Sequence, residues 1–241
     1  VLRVPVSELI AGQMTLDPEA SRYVARVHRV REGDALVLFD PVTAREATAT
    51  VRTIERDGVR CDVGEIRASV LRPRRSTTLI QAIGKGDKLD AVTRDATELG
   101  ATRIIATETA RGIVKLGSRA EERMDRLRRV ATEAARQCGR GDVPELLGPL
   151  PWDAALRRAA DPAGVLLCLW ERATAPIGPV FRALRPEEPL ALAVGPEGGL
   201  ETAEIEAARA LGYAVVSLGP FILRTETVAS AVLGAALVTS A

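Results

Sequence analysis

The sequence predicts an α/β protein, with a small β-rich N-terminal part and a larger domain built on a parallel sheet. Three observations predict it. The N-terminal part holds short β-branched segments, "ALVLFD", "EATATVRTIE" and "VRCDVGEI", parted by the turn stretches "EGD", "DPVT" and "RDG". From residue 78 onward, apolar strands alternate with amphipathic stretches. Near the C-terminus, two consecutive units read strand, Gly-Pro loop, helix: "LALAVGPEGGLETAEIEAARALGY" at 190–213 and "VSLGPFILRTETVAS" at 216–230.

The elements follow in order. "DPEASRYVARVHRV" (17–30) predicts a helix, with Asp17 as its cap and Pro18 at the first position, where a missing N–H is harmless. Asp57-Gly58 predicts a hairpin turn, and short strands at this spacing predict a small barrel. "RASVLRPRRSTT" (67–78) reads as a linker without acids; Arg72, Arg74 and Arg75 suit a phosphate backbone and equally a solvated linker. "TLIQAIG" predicts a strand. "DKLDAVTRDATELG" predicts a helix, because Leu89, Val92, Ala96 and Leu99 share one face and Gly100 follows as a stop. "TRIIATET" is the next strand.

"RAEERMDRLRRVATEAARQCG" predicts a long amphipathic helix with the stripe Met124, Leu127, Ala131, Ala134 and Cys138. Its other face carries Arg123, Arg126, Arg128, Arg129 and Arg136, interleaved with acids. "WDAALRRAA" is a short helix, followed by the strands "GVLLCLWE" and "LALAVG", a helix at 202–211 and the strand "AVVSLG". The last stretch, "RTETVASAVLGAALVTSA", predicts a helix capped by Thr225, apolar nearly all round and therefore buried.

Composition narrows the chemistry. Apolar residues make up 46 % of the 241 and aromatics only 3 %, so aliphatic side chains must fill the core. The longest apolar runs, "GVLLCLW" and "VASAVLGAALV", are too short to span a bilayer, and no charged-then-apolar signal opens the chain. The expectation is a soluble cytoplasmic protein with no membrane partner. Cys61, Cys138 and Cys168 form no CxxC pair, and His28 is the single histidine, so no metal is expected. His28 reads as a packed or surface residue rather than a base. Residues 102–160 carry 12 basic and 8 acidic residues, and residues 161–241 carry 5 and 9, which suggests two surfaces with different partners. Only Lys85, Lys88 and Lys115 are lysines; arginine forks suit phosphate and base contacts, although a GC-rich genome accounts for them equally.

The loop "GPEGG" carries the sharpest question. It lacks the Gly-Lys-Ser/Thr of a Walker loop and the spacing of a dinucleotide fingerprint. Phosphate favours N–H donors, lysine and a positive helix end. Glu197 repels it and Pro196 removes a donor. The loop suits a neutral or cationic ligand, or serves only as a tight turn. With the second Gly-Pro loop, which ends in Arg224 and Glu226, it would share one edge of a parallel sheet and one pocket.

"AVGPEGGLETAEI" followed by "VSLGPFILRTETVASAV" closely resembles the RsmE family, S-adenosylmethionine-dependent methyltransferases of the SPOUT superfamily. "RVHRVREGDALVLFD", "KGDKLDAVTRDATELGATRI", "TARGIVKL" and "EAARQCGRGDVPEL" stand in the family's order, so the resemblance covers almost the whole chain. It implies a PUA-like RNA-binding barrel over 1–72 and a SPOUT domain with a deep trefoil knot over 73–241. It implies methylation of uridine N3 in 16S ribosomal RNA of the small subunit (U1498 in the usual rRNA numbering) and a homodimer formed through the knotted domain. The donor contacts carried over are Leu169, Trp170 and Glu171; Gly195, Pro196, Glu197 and Gly199; and Leu218, Gly219, Ile222, Leu223 and Arg224.

For catalysis the resemblance points to Arg111, Arg140 and Arg224, which would stabilise charge on the uracil oxygens; the residues do not identify the base, for which Glu226 or Glu171 would serve, or would only position groups. Gln137 would meet the uracil edge, and Arg26, Arg29, Arg72, Arg74 and Arg75 the RNA phosphates. The chain departs from the family at Arg94-Asp95, at Thr109–Gly112, and at Glu201, which leaves Thr202 as the expected helix cap. A SPOUT enzyme acting on a different RNA such as tRNA and a non-catalytic RNA-binding knot protein are the alternatives; a phosphate-dependent nucleotide enzyme is disfavoured by the missing Walker and dinucleotide signatures.

Overall fold

A computed structural model describes residues 1–56, 58–112 and 117–240. Asp57 of the expected hairpin and residues 113–116 of "TARGIVKL" lie outside the described residues. The chain divides into two compact units. The first is Val1–Arg72 together with Thr132–Val143, a segment that the sequence reading assigned to the C-terminal domain. The second is Pro73–Ala131 with Pro144–Ala241.

In the first unit, β1 (Leu2–Pro5), β2 (Gly12–Thr15), β3 (Ala35–Asp40), β4 (Arg45–Glu55) and β5 (Gly58–Val63) form one sheet in the order β1-β3-β4-β5-β2. A short β6 (Arg67–Ala68) pairs with β4, so the stretch read as a linker begins as a strand. β1 runs parallel to β3, and the other pairs are antiparallel. Val4, Leu16, Val24, Leu36, Leu38, Val51 and Cys61 form the core. α1 (Pro18–Arg22) starts as expected, with the Ala20 N–H donating to Asp17 Oδ1 at 2.8 Å. The helix does not continue to residue 30. It widens into a π-helical turn at Tyr23–Val27 and ends at Arg29, whose φ is +51°.

Glu46 is the polar hub of this unit. It is buried, accepts from Arg3 Nη2 and Ser69 Oγ at 2.9 Å each, and pairs with Arg67. Burial pushes its carboxyl up, but the hydrogen bonds from Arg3 and Ser69 outweigh that and hold it below the usual value. Gly141 packs against Ser69 so closely that any Cβ there would overlap the serine side chain, and its N–H donates to Leu71 O at 2.9 Å.

The second unit holds a parallel sheet in the order β12-β10-β11-β7-β8-β9. The strands are β7 (Thr77–Ala82), β8 (Arg103–Glu108), β9 (Glu145–Pro151), β10 (Val165–Leu169), β11 (Leu190–Val194) and β12 (Ala214–Val216). The helices are α2 (Lys88–Glu98), α3 (Ala120–Cys138, which runs on into the first unit's segment), α4 (Trp152–Ala159), α5 (Gly178–Ala183), α6 (Thr202–Ala210) and α7 (Thr225–Val238). β7 and β11 are buried along their whole length, as central parallel strands covered on both faces must be.

β9 escapes the sequence reading because "ELLGPLP" carries two prolines; as the edge strand it tolerates them. Three further expectations are corrected. Cys138 ends the apolar stripe of α3 but is exposed, because the helix finishes there. α7 is not buried all round: Val238 is 72 % exposed and Ala231 lies on the same open face, since the core needs only Ala229, Val232, Leu233 and Ala236. Arg75 is only 2 % exposed and donates to Glu188 O and Thr239 Oγ1, so its guanidinium is spent inside the fold and cannot reach a phosphate. No helix among the described residues is long and apolar enough to cross a membrane.

Candidate active site

β12, β10 and β11 lie side by side and end at Val216, Leu169 and Val194. The loops that leave these carboxyl ends enclose a pocket of about 460 Å3. Its walls are Leu169–Arg172, Val194–Leu200, Ser217–Gly219 and Phe221–Thr225, with Arg111 and Val228. Every residue carried over as a donor contact therefore lines one cavity.

The first loop is braced from every side. A Cβ on Gly195 would lie 2.8 Å from Leu200 Cγ, and Gly199 sits at φ +73°, so both need glycine. Thr225 Oγ1 donates to Gly195 O at 2.7 Å and accepts from Gln81 Nε2 at 2.9 Å. Thr225 is thus the first helical residue and a tether; Arg224 occupies the cap position in its place. Arg111 Nη1 donates to Gly198 O at 3.3 Å, and Arg111 Nε lies 3.6 Å from Glu201 Oε1.

Glu197 faces Lys88, with Nζ–Oε1 at 2.8 Å, in space that Gly84 leaves open. Burial raises the Glu197 carboxyl's pKa, but the Lys88 hydrogen bond and nearby backbone N–H groups outweigh it, so the carboxyl lies below its usual value. The hydrogen bond from Lys88 to Glu197 raises the lysine's pKa in turn.

Glu204 closes the start of α6. Its Oε2 accepts from the Glu201 N–H at 2.9 Å and its Oε1 from the Ala110 N–H at 2.8 Å. Glu201 is the cap residue, and Thr202 is already helical, which corrects the expected cap. Arg94-Asp95 also finds a structural explanation: the two pair at 2.7 Å, and Ser230 Oγ contacts Asp95 Oδ2 at 3.2 Å.

The structure does not bring all expected catalytic residues to the pocket. Arg111 and Arg224 line it, and Arg224 forms no ion pair with any described residue. Glu226 does not; it leans toward Lys88 at 3.8 Å, because α7 turns its side chain to α2. Of the two residues expected as a base, Glu171 lines the pocket, where Glu197 lies as well. Arg140 belongs to the first unit, is buried, and closes its fork on Asp142 at 3.0 and 2.7 Å, so charge stabilisation by it would require breaking that pair. Arg26, Arg29, Arg72, Arg74 and Gln137 are exposed.

Gln81, Lys88 and Glu204 are the residues that sequence reasoning missed. Gln81 had a signal, as the one amide in the apolar run "TLIQAIG"; the other two are defined only by partners on distant elements. Among the described residues no group of His, Cys, Asp or Glu is arranged to hold a metal.

A parallel sheet whose neighbouring strand ends share one three-loop pocket is the class of architecture that the comparisons recover. Residues 72–237 match the family described as RNA methyltransferase domain. A ribosomal RNA small subunit methyltransferase E from Mycobacterium bovis is 35 % identical over 91 % of this chain and 84 % of its own length. The Bacillus subtilis protein of that name is 30 % identical over 90 % and 86 %. The crystal structure of the same-named Neisseria gonorrhoeae protein, bound to S-adenosyl methionine, superposes with a TM-score of 0.88 at 29 % identity, covering 98 % of this chain and 96 % of that one. The chain belongs to the RsmE family of RNA methyltransferases.

Proposed function

We propose that this chain methylates N3 of a uridine in small-subunit 16S ribosomal RNA, with S-adenosylmethionine as the methyl donor. The observation that carries this reading is the convergence of the three motif loops on one pocket that combines apolar walls, carboxylates and no phosphate cradle. The pocket fits such a donor. Its volume suits a ligand of that size. Glu171 and Glu197 suit a cation, and Trp170 keeps its Nε1–H buried without a hydrogen-bond partner among the described residues. When bound, the donor supplies a methyl group on a positively charged sulfur.

The rest falls to the chain's own residues. Uracil N3 carries a proton at neutral pH and attacks poorly until that proton leaves. Glu171 takes it in this reading; its position in the pocket lining, which Glu226 does not share, supports the choice. Arg111 and Arg224 stabilise the charge that spreads onto the uracil oxygens. The braced "GPEGG" loop holds its shape before ligand arrives, which lowers the cost of orientation.

The same reading makes the first unit a PUA-like RNA-binding barrel and the C-terminal loops a trefoil knot. The passage of the chain from β11 over β10 to β12 supports the knot. Phe221 and Ile222, at 80 % and 85 % exposure, with the open face of α7, support a homodimer formed through this domain. The testing experiment is a methylation assay on small ribosomal particles that lack the mark. Donor-dependent incorporation at a single uridine N3 is expected. A folded, donor-binding protein that incorporates nothing there sinks the substrate assignment, and modification of a tRNA instead redirects it.

A further inference from the structure

His28 has no role in the proposed chemistry, yet the backbone around it is unusual. The π-helical turn at Tyr23–Val27 places the His28 N–H 3.1 Å from Tyr23 O, a bond between residues five apart. That register brings the two rings together, with centroids 4.4 Å apart and planes tilted by 57°. An ordinary α-helix would point residues five apart to different sides. The guanidinium of Arg136 lies over the Tyr23 ring at 3.7 Å, and Glu133 pairs with that arginine. A cation, a phenol and an imidazole thus form one braced chain inside the first unit.

The outer end of that chain is open. His28 is exposed, and its ring makes no hydrogen bond or ion pair with any described side chain. Arg22, Arg26 and Arg29 are exposed beside it in sequence, and none forms an ion pair with a described residue. Arg29 adopts φ +51°, a region that side chains other than glycine enter at a cost. Val27 is exposed as well, at 62 %. A backed aromatic ring, with exposed arginines beside it in sequence that pair with no described residue, matches a nucleotide on both counts, a flat base and a phosphate.

We propose that His28 is a stacking platform for one unpaired base of the bound RNA, with Arg26 and Arg29 on the flanking phosphates. The site lies in the first unit and does not use the methyl-donor pocket. The inference rests on the reading of the chain as an RNA methyltransferase, but not on which nucleotide it modifies.

The test uses the full chain and single-stranded RNA oligonucleotides that carry 2-aminopurine at successive positions, a base whose fluorescence falls on stacking. Saturable quenching at one position is expected. His28→Ala should weaken binding roughly 5- to 100-fold and abolish the quenching, while His28→Phe restores both. The salt dependence of binding should be unchanged in His28→Ala and shallower by about one ion in Arg29→Gln. Thermal unfolding and S-adenosylmethionine titration of the variants should match the unaltered chain. Equal affinity of His28→Ala and the unaltered chain, failure of His28→Phe to rescue, or no saturable quenching at all overturns the platform; a partner protein that binds His28 in place of RNA does so as well. The titration is read without methyl transfer, so failure of the methylation assay and failure of the platform are separate results.

Discussion

The loops at 195–199 and 218–224 share a spelling, strand then Gly-Pro then helix, and are held in opposite ways. In the first, Gly195 is packed on Leu200, Thr225 and Arg111 grip two of its carbonyls, and Lys88 pins its carboxylate. In the second, a Cβ on Gly219 would meet nothing within 4 Å, and Phe221 and Ile222 stand in solvent. Two loops that line one pocket thus divide the work. One is finished by the chain itself; the other presents apolar surface that a second molecule can cover. Preorganisation in this pocket comes from one side.

Substitution of the two glycines is the hardest test of that contrast. Gly195→Val should cost about 1–3 kcal/mol in stability, because the new side chain must displace Leu200. It should weaken S-adenosylmethionine binding at least about tenfold, at 1.4 kcal/mol per factor of ten. Gly219→Ala should stay within about 0.5 kcal/mol. Calorimetry with thermal melts reads both, and equal losses would erase the distinction between the loops.

Arg111→Ala comes next. Turnover should fall about 100-fold, the loss expected when one stabilising donor is removed, while donor affinity stays within a few-fold. If affinity falls as far as turnover, Arg111 acts as a brace on Gly198 and not on the reacting base.

Much of the pocket is legible in the sequence, because its glycines, prolines and charges sit in two short runs. The braces are not. Lys88 meets Glu197 across more than a hundred residues of chain, and Ala110 meets Glu204 across 94. Local spelling records a turn but not the partner that fixes it, which is why Thr202 and Thr225 read as caps and prove to be otherwise. Arg75 and Arg140 fail for a related reason. An arginine in a short polar run near a proline, or between two glycines, looks solvated until the fold buries it.

A pH experiment sharpens the role of Lys88. The Glu197 carboxyl lies below its ordinary value when folded, so its contribution is present above the ordinary carboxylate pKa and is lost as pH falls through the folded one. Lys88→Gln removes the hydrogen bond that opposes burial, so the folded value rises and the loss should begin at a higher pH. Donor titrations across the acid range check this; at neutral pH the same variant should weaken donor binding only about two- to fivefold, as for an exposed pair. An unchanged acid limb would mean that the backbone donors alone hold Glu197. The smallest effect on a single chain should come from Phe221→Ser with Ile222→Ser: a melting point within about 2 °C of the parent, with a shift from dimer to monomer in sedimentation.

The seat that Gly141 takes against Ser69 has a consequence for how the molecule is made. Residues 1–72 leave the ribosome before the rest of their own unit, because that unit includes Thr132–Val143, which is translated some sixty residues later. The nascent N-terminal sheet must wait, at about 5–20 residues per second, for several seconds of further synthesis before its last piece exists. A chain stopped at residue 72 is therefore an unfinished unit, and the vector of synthesis separates the appearance of this sheet from its completion.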